Sequence, residues 1–192
     1  MENRFLYASE FYNGSEQGLE YDAVRLLKEN HLLLACAESC TGGLLSKRIT
    51  EVSGASEVFE CGIISYANKI KHELLFVEEE KLLKYGAVSF AVAAQMAKGA
   101  LQRAKSDIAV SITGIAGPNS DGTNKKVGLV YVALYDKNGK VFVRELNIDA
   151  PEGKTRQYNR YVSSSYALSL VIDYIEDRLS LQPYDEFMKK FC

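Results

Sequence analysis

Three short stretches of this chain crowd groups that can attack, activate or bind. The first, CAESCTGG at residues 36–43, sets Glu38, Ser39, Cys40 and Thr41 ahead of Gly42 and Gly43. A buried strand end has little structural use for so many polar side chains. A helix starting near Thr41 or Gly42 would aim unsatisfied amides at this turn, and such a terminus favours a phosphate or an oxyanion. The two glycines let a ligand approach the backbone closely. The same pattern also describes a helix N-cap with small residues for close packing. On the residues alone, Ser39, Cys40 and Thr41 compete as nucleophiles.

The second stretch, SYANKIK at residues 65–71, ends an apolar run with Tyr66 and follows it with Lys69 and Lys71. A serine hydroxyl attacks poorly until a base takes its proton, and a lysine becomes that base when burial lowers its pKa. Ser–Lys pairs are an established variant of the serine triad. The competing reading is an aromatic anchor beside solvated lysines. The third stretch, SITGIAGP at residues 111–118, suggests a backbone nest for an anion or carbonyl. It lacks the Gly-Lys-Ser/Thr ending of a phosphate-binding P-loop and the glycine spacing of a dinucleotide fingerprint. Arg156 and Arg160 stand four apart and face the same side of a helix, where two guanidinium forks suit a phosphate.

The elements that must hold these groups follow from the hydrophobic pattern. Leu19, Ala23, Leu26 and Leu27 mark one face of a helix, and LLLACA at 32–37 reads as a buried strand. A helix follows over 41–54, stopped at Gly54, then a strand over 58–67 and short helices over 68–75 and 78–86. A helix over 89–105 carries Ser89 as its N-cap and buries Val92, Met96, Ala100 and Leu101. A strand over 107–113 leads into a long glycine-containing loop. A hairpin turned at Asn138-Gly139 and a long helix over 153–181 complete the pattern. Helices alternating with strands, then a hairpin, predict a single α/β domain, three-layered, with a mixed sheet flanked by helices. The expected organisation is an N-terminal extension at 1–18, the domain at 19–180 and a tail at 181–192. Three candidate loops follow strands, where open α/β sheets gather ligands.

Composition narrows the class. With 47% hydrophobic and 25% charged residues the chain reads as an ordinary globular protein. A net charge of -2 with dispersed Lys and Arg gives no footprint for direct nucleic-acid binding. No apolar run reaches membrane-spanning length, and the N-terminus lacks a signal-peptide pattern, so the expected location is cytoplasmic. There Cys36, Cys40, Cys61 and Cys192 are expected as free thiols. His31 and His72 form no recognised metal pattern with them, and no metal is expected.

Taken together, AESCTGGLLSKRIT, GASEVFECGIISYANKIK, YGAVSFAVAAQMAKGAL, SDIAVSITGIAGP and VGLVYVAL resemble, in order and spacing, the C-terminal domain of the competence/damage-inducible protein A (CinA) family, over about residues 19–178. Stand-alone members of that family are nicotinamide-nucleotide amidohydrolases. Larger members carry a further domain resembling molybdopterin-binding proteins, for which 192 residues leave no room. The resemblance implies hydrolysis of nicotinamide mononucleotide to nicotinate mononucleotide and ammonia, without a cofactor. It implies Ser39 as nucleophile, Lys71 as general base and Tyr66 as an orienting or relaying group. By the same resemblance Glu38, Thr41, Gly42, Gly43, Asn68, Ser89, Thr113, Gly114, Arg156 and Arg160 bind substrate. Amides near Cys40 to Gly43, or in the Thr113-Gly114 turn, would stabilise the oxyanion. A homodimer or larger assembly is also implied. Two departures from the family pattern bear on the substrate. Lys126 stands where proline is usual, and KTR at 154–156 stands where Gly-Asp-Arg is frequent. The rival reading is a non-catalytic module that binds a pyridine nucleotide or serves a competence- or damage-related role.

Overall fold

The computed structural model describes residues 18–180. Its centre is a five-stranded mixed sheet in the order β2-β1-β3-β4-β5. The strands are β1 (Leu34–Glu38), β2 (Phe59–Ile64), β3 (Ile108–Gly114), β4 (Leu129–Asp136) and β5 (Val141–Asn147). β1 pairs in parallel with both β2 and β3, while β3, β4 and β5 run antiparallel in turn. Helices α1 (Leu19–Glu29), α2 (Leu44–Thr50) and α6 (Thr155–Ile175) pack on one face. Helices α3 (Asn68–Leu75), α4 (Glu79–Tyr85) and α5 (Phe90–Ala104) lie on the other. This is the three-layered α/β arrangement that the alternation of elements predicts. Both the N-terminal extension and the tail lie outside the described residues, apart from Gly18.

Period-two alternation along β1 explains why its apolar run is continuous. Leu34 and Cys36 point into the core shared with Leu27, Leu45, Ile49, Leu168 and Val171. Ala35 and Ala37 point the other way, against Leu75, Val92, Met96 and Ala100. A strand covered on both faces needs apolar residues at every position. Small side chains dominate the α5 face: Ala109 and Ala133 on the sheet meet Ala93, Ala97 and Ala100 of the helix. The helix therefore lies close enough for the Ser111 hydroxyl to donate to Ala93 O at 2.6 Å. Gly99 serves the next layer out. A Cβ there would stand 2.0 Å from Leu75 O, so the glycine permits α3 to rest directly on α5.

Some boundaries differ from the sequence pattern, each for a local reason. α2 begins at Leu44 rather than Thr41, because Gly42 (φ 60°) and Gly43 (φ 91°) are left-handed and form a turn before it. β2 stops at Ile64, leaving Ser65, Tyr66 and Ala67 as the connection into α3. α6 ends at Ile175, short of the predicted 181; Asp177 turns left-handed there (φ 54°) and Arg178 folds back onto Asp173. The Asn138-Gly139 hairpin is present, and Asp136 Oδ1 accepts from the amides of Asn138 and Lys140.

The short helix α2 is fixed at its start and along its inner face. At its start, Glu38 Oε2 accepts from the Gly43 and Leu45 amides at 3.0 and 3.1 Å. Glu38 Oε1 accepts from the Ser46 amide at 2.8 Å and the Ser46 hydroxyl at 2.6 Å. A carboxylate at a helix N-terminus satisfies orphan amides and opposes the positive end of the helix dipole. On its inner face, buried Arg48 donates to Ser164 and Ser165 of α6 and to Glu20 of α1, and lies 4.5 Å from the Tyr161 ring centroid. Replacing Glu38 by Ala leaves buried donors without an acceptor and should cost roughly 1–3 kcal/mol. Urea unfolding should show this drop, whereas Glu60→Ala, at an exposed position on β2, should stay within about 0.5 kcal/mol of wild type.

Candidate active site

The parallel pairing of β1 with β2 and β3 brings the loops after all three strands to one edge of the sheet. The three stretches that carry reactive groups meet there, although they are distant in sequence. Ser39 is the first residue beyond β1, and its amide still donates to Ile112 O on β3 at 3.0 Å, so the ladder holds its backbone. Lys71 enters from α3. With Leu75, four residues later, it forms the buried stripe of that helix. The outward-facing Lys69 pairs with Glu73 instead, and its side chain is 78% exposed.

Lys71 is 1% exposed. Its Nζ lies 3.0 Å from Ser39 Oγ, 2.6 Å from Ser65 O and 3.4 Å from Tyr66 O. No carboxylate among the described residues pairs with it. Burial therefore disfavours the ammonium and lowers its pKa from 10.5 to about 8. As a neutral amine it has two N–H bonds for the two carbonyls and one lone pair left for the Ser39 hydroxyl. This is the geometry of a general base facing its nucleophile.

The neighbouring nucleophiles are disqualified by their surroundings. Cys40 is buried, and desolvation pushes its thiol up to about 12. Cys36 is fully buried, and its thiol is also raised, by desolvation first and then by Glu38. A thiol held above neutral pH supplies little thiolate. Thr41 is fully buried, and its Oγ1 has no partner among the described residues, so none of them is placed to activate it.

Glu38, an expected ligand-binding residue, is fully buried, and the four described bonds of its carboxylate all go to the start of α2. The anion that the sequence pattern expects at this helix terminus is thus the protein's own carboxylate. Gly43 gives its amide to Glu38, and Gly42 donates to Ser39 O at 3.1 Å. The amides of Cys40 and Thr41 are different: neither has an acceptor on another described residue, and the Cys40 amide faces only its own thiol. They are the donors in the turn available to an oxyanion.

The remaining expected residues divide into those at the mouth and those behind it. Tyr66 is 62% exposed, and its hydroxyl accepts from Arg156 Nη2 at 3.1 Å. Tyr66 meets Lys71 through its backbone carbonyl, not its phenol. Arg156 Nη1 donates to Gly117 O at 3.1 Å, and Arg160 donates from Nε and Nη2 to Thr41 O at 2.9 and 2.6 Å. Neither arginine pairs with a carboxylate among the described residues. Asn68 opens α3 and is exposed. Ser89 caps α5, accepting from the Val92 amide and donating to Gly86 O. Thr113 donates to Ala87 O at 2.8 Å, and Gly114 pairs with Val130 in the β3–β4 ladder. Glu38, Ser89 and Thr113 thus build the frame rather than line the opening.

Sequence reasoning missed the carbonyl of Ser65, which makes the shortest contact to Lys71. Backbone acceptors leave no mark in residue type. It also missed Ser46, the hydroxyl partner of Glu38, and Asn159, which donates to Ala116 O behind the third loop. A cavity lined by Phe76, Glu78, Gln95, Lys98 and Gln102 includes neither Ser39 nor Lys71. Among the described residues no cluster of three His, Cys, Asp or Glu could hold a metal, and no helix is long and apolar enough to cross a membrane.

Known proteins agree with this architecture. A CinA-like protein of Desulfovibrio desulfuricans is 48% identical over 162 residues, covering 83% of this chain and 37% of the relative. A putative competence-damage inducible protein of Acetivibrio thermocellus is 48% identical over 145 residues, 76% of this chain and 35% of the relative. The chain thus spans little more than a third of the length of these curated relatives. The crystal structure of competence/damage inducible protein CihA from Agrobacterium tumefaciens superposes with a TM-score of 0.75 at 37% identity, over 82% of this chain and 95% of that one. A CinA superfamily protein from Escherichia coli does so with a TM-score of 0.75 at 26% identity, over 91% of this chain and 98% of that one. The sequence model of the CinA C-terminal domain matches residues 16–175. With the fold, the ordered motifs and these likenesses in agreement, the chain belongs to the CinA C-terminal domain family.

Proposed function

We propose that this protein is an amidohydrolase that converts nicotinamide mononucleotide and water to nicotinate mononucleotide and ammonia. The observation that carries the reading is the buried Lys71 amine 3.0 Å from the Ser39 hydroxyl, with no carboxylate partner among the described residues. Lys71 takes the Ser39 proton as Oγ attacks the carboxamide carbon. The carbonyl oxygen becomes an oxyanion, received by the Cys40 and Thr41 amides. The Lys71 ammonium then protonates the departing nitrogen. The C–N bond breaks, ammonia leaves, and the acyl group stays on Ser39. Water attacks this ester while Lys71 removes its proton. The nicotinate carboxyl departs, and Ser39 recovers its hydrogen from Lys71.

Charge supports a phosphorylated substrate. Arg156 is exposed at the mouth, and its guanidinium rests on neutral acceptors, the Tyr66 hydroxyl and the Gly117 carbonyl. A phosphate would offer it a stronger, charge-assisted partner. The exposed Tyr66 ring beside it provides a face for a flat pyridine. In this reading the phosphate lies at Arg156, away from the terminus of α2, where Glu38 already sits.

Ammonia release from nicotinamide mononucleotide tests the proposal. Purified wild-type protein should turn over, and Ser39→Ala and Lys71→Ala should each lose at least about 1000-fold in kcat with their circular dichroism unchanged. Binding of the nucleotide without any turnover would favour a non-catalytic module instead. The pH profile gives a second test. Lys71 must be neutral to act, and its pKa is lowered to about 8, so kcat/KM should rise tenfold per pH unit below 8 and level off above it. A profile that keeps rising to the ordinary lysine range near 10.5 would contradict a desolvated base.

A further inference from the structure

The geometry points to Arg160 as a positioning residue for the nucleophile, acting through a single peptide unit. This role rests on the reading of Ser39 as an activated serine. Arg160 aims two donors, Nε and Nη2, at one backbone oxygen, Thr41 O, at 2.9 and 2.6 Å. The next amide along, Gly42 N–H, donates to the carbonyl of Ser39 itself at 3.1 Å. A trans peptide is planar, with its C=O and N–H pointing in opposite directions. Pulling the Thr41 oxygen toward Arg160 therefore drives the Gly42 N–H toward Ser39. A rigid plate is held between the guanidinium and the nucleophile's own main chain, and bonds in series polarise one another.

The turn depends on such a hold because its side chains supply little. The Ser39 hydroxyl faces Lys71, Cys40 lies in the core, and the Thr41 hydroxyl is buried without a partner among the described residues. Gly42 and Gly43 follow with φ of 60° and 91°, and glycines allow the chain many alternatives. Glu38 fixes the turn from the α2 side, through the Gly43, Leu45 and Ser46 amides, but it makes no bond to Cys40, Thr41 or Gly42. The stretch between Ser39 and Gly42 is held through Thr41 O, by the two shorter bonds from Arg160 and by a longer one, 3.3 Å, from the Leu44 amide of α2. Arg156 differs: it is exposed, and it gives one donor to each of two neutral groups on other loops. The two arginines share a helix face but have separate tasks, Arg156 at the substrate and Arg160 at the Ser39 turn.

The test uses an uncharged fluorophosphonate, which reports on Ser39 without a substrate phosphate. In labelling, the Ser39 Oγ–P bond forms, the P–F bond breaks, fluoride leaves and Lys71 takes the proton. The labelling rate at Ser39 is followed by mass spectrometry for wild type, Arg160→Gln and Arg160→Lys, alongside kcat and KM for nicotinamide mononucleotide and a melting curve. The expected result is labelling and kcat reduced about 10- to 100-fold in Arg160→Gln, as for other losses of an oriented group. Arg160→Lys, which retains one charged donor point, should recover part of both. If Arg160→Gln fails to fold, the Lys variant carries the comparison. Labelling rates equal to wild type, with KM alone raised, would overturn the role and leave Arg160 as a phosphate ligand. A wild type that labels at Ser39 but leaves the nucleotide intact would remove the proposed substrate, while the variant labelling rates would still decide for or against Arg160. A wild type that does not label would overturn the activated serine, and the role of Arg160 with it.

Discussion

Lys71 carries its amine into the interior, where an ammonium is poorly solvated, and no carboxylate among the described residues meets it there. Desolvation is the first cause of its lowered pKa, and every tenfold gain in its acidity corresponds to about 1.4 kcal/mol between its two protonation states. Folding therefore works against the charged form, and the packing around α3 must hold the side chain in place regardless. Gly99 lets α3 sit on α5, and the alanines of α5 let that pair sit on the sheet. The end of β2 at Ile64 frees the Ser65 and Tyr66 carbonyls to take the lysine's N–H bonds. Small residues at successive layers thus set the distance between the Lys71 amine on a helix and the Ser39 hydroxyl at a strand end.

The turn that presents Ser39 is held by opposite charges on its two sides. The Glu38 carboxylate gathers amides at the start of α2, and the Arg160 guanidinium takes a carbonyl nearer the serine. Each charge is matched to the backbone group it can bind, an anion to N–H and a cation to C=O. The consequence for ligands is specific. The positive end of α2 is already satisfied, so the proposed substrate's phosphate is assigned to α6, at the exposed Arg156.

Much of this was readable from residue types and spacing. The alternating elements gave the layered sheet, whereas only the family resemblance singles Lys71 out from Lys69; the structure shows it turned inward beside Leu75. The choice of Ser39 over Cys40 and Thr41 was not local. It needed Lys71, which is brought to the turn by the parallel pairing of β1 and β2. Glu38 was open to two readings in sequence because a carboxylate before a glycine turn suits either a ligand or a cap; the position of Ser46 settles which amides it meets. The phenol of Tyr66 and the guanidinium of Arg160 found partners that residue type does not specify: an arginine 90 positions away and a backbone carbonyl. Backbone acceptors are present at every residue, so sequence does not distinguish the few that matter.

The proposed reaction requires that folding hold the Lys71 amine with its pKa lowered to about 8. Lysine labelled with 13C and 15N, with the Lys71 resonance assigned by comparison with Lys71→Arg, allows its side chain to be titrated directly by NMR in the resting protein. A midpoint at about 8 is the predicted result. A midpoint at the ordinary 10.5 would mean an ammonium that stays charged through the working range, and would contradict the account.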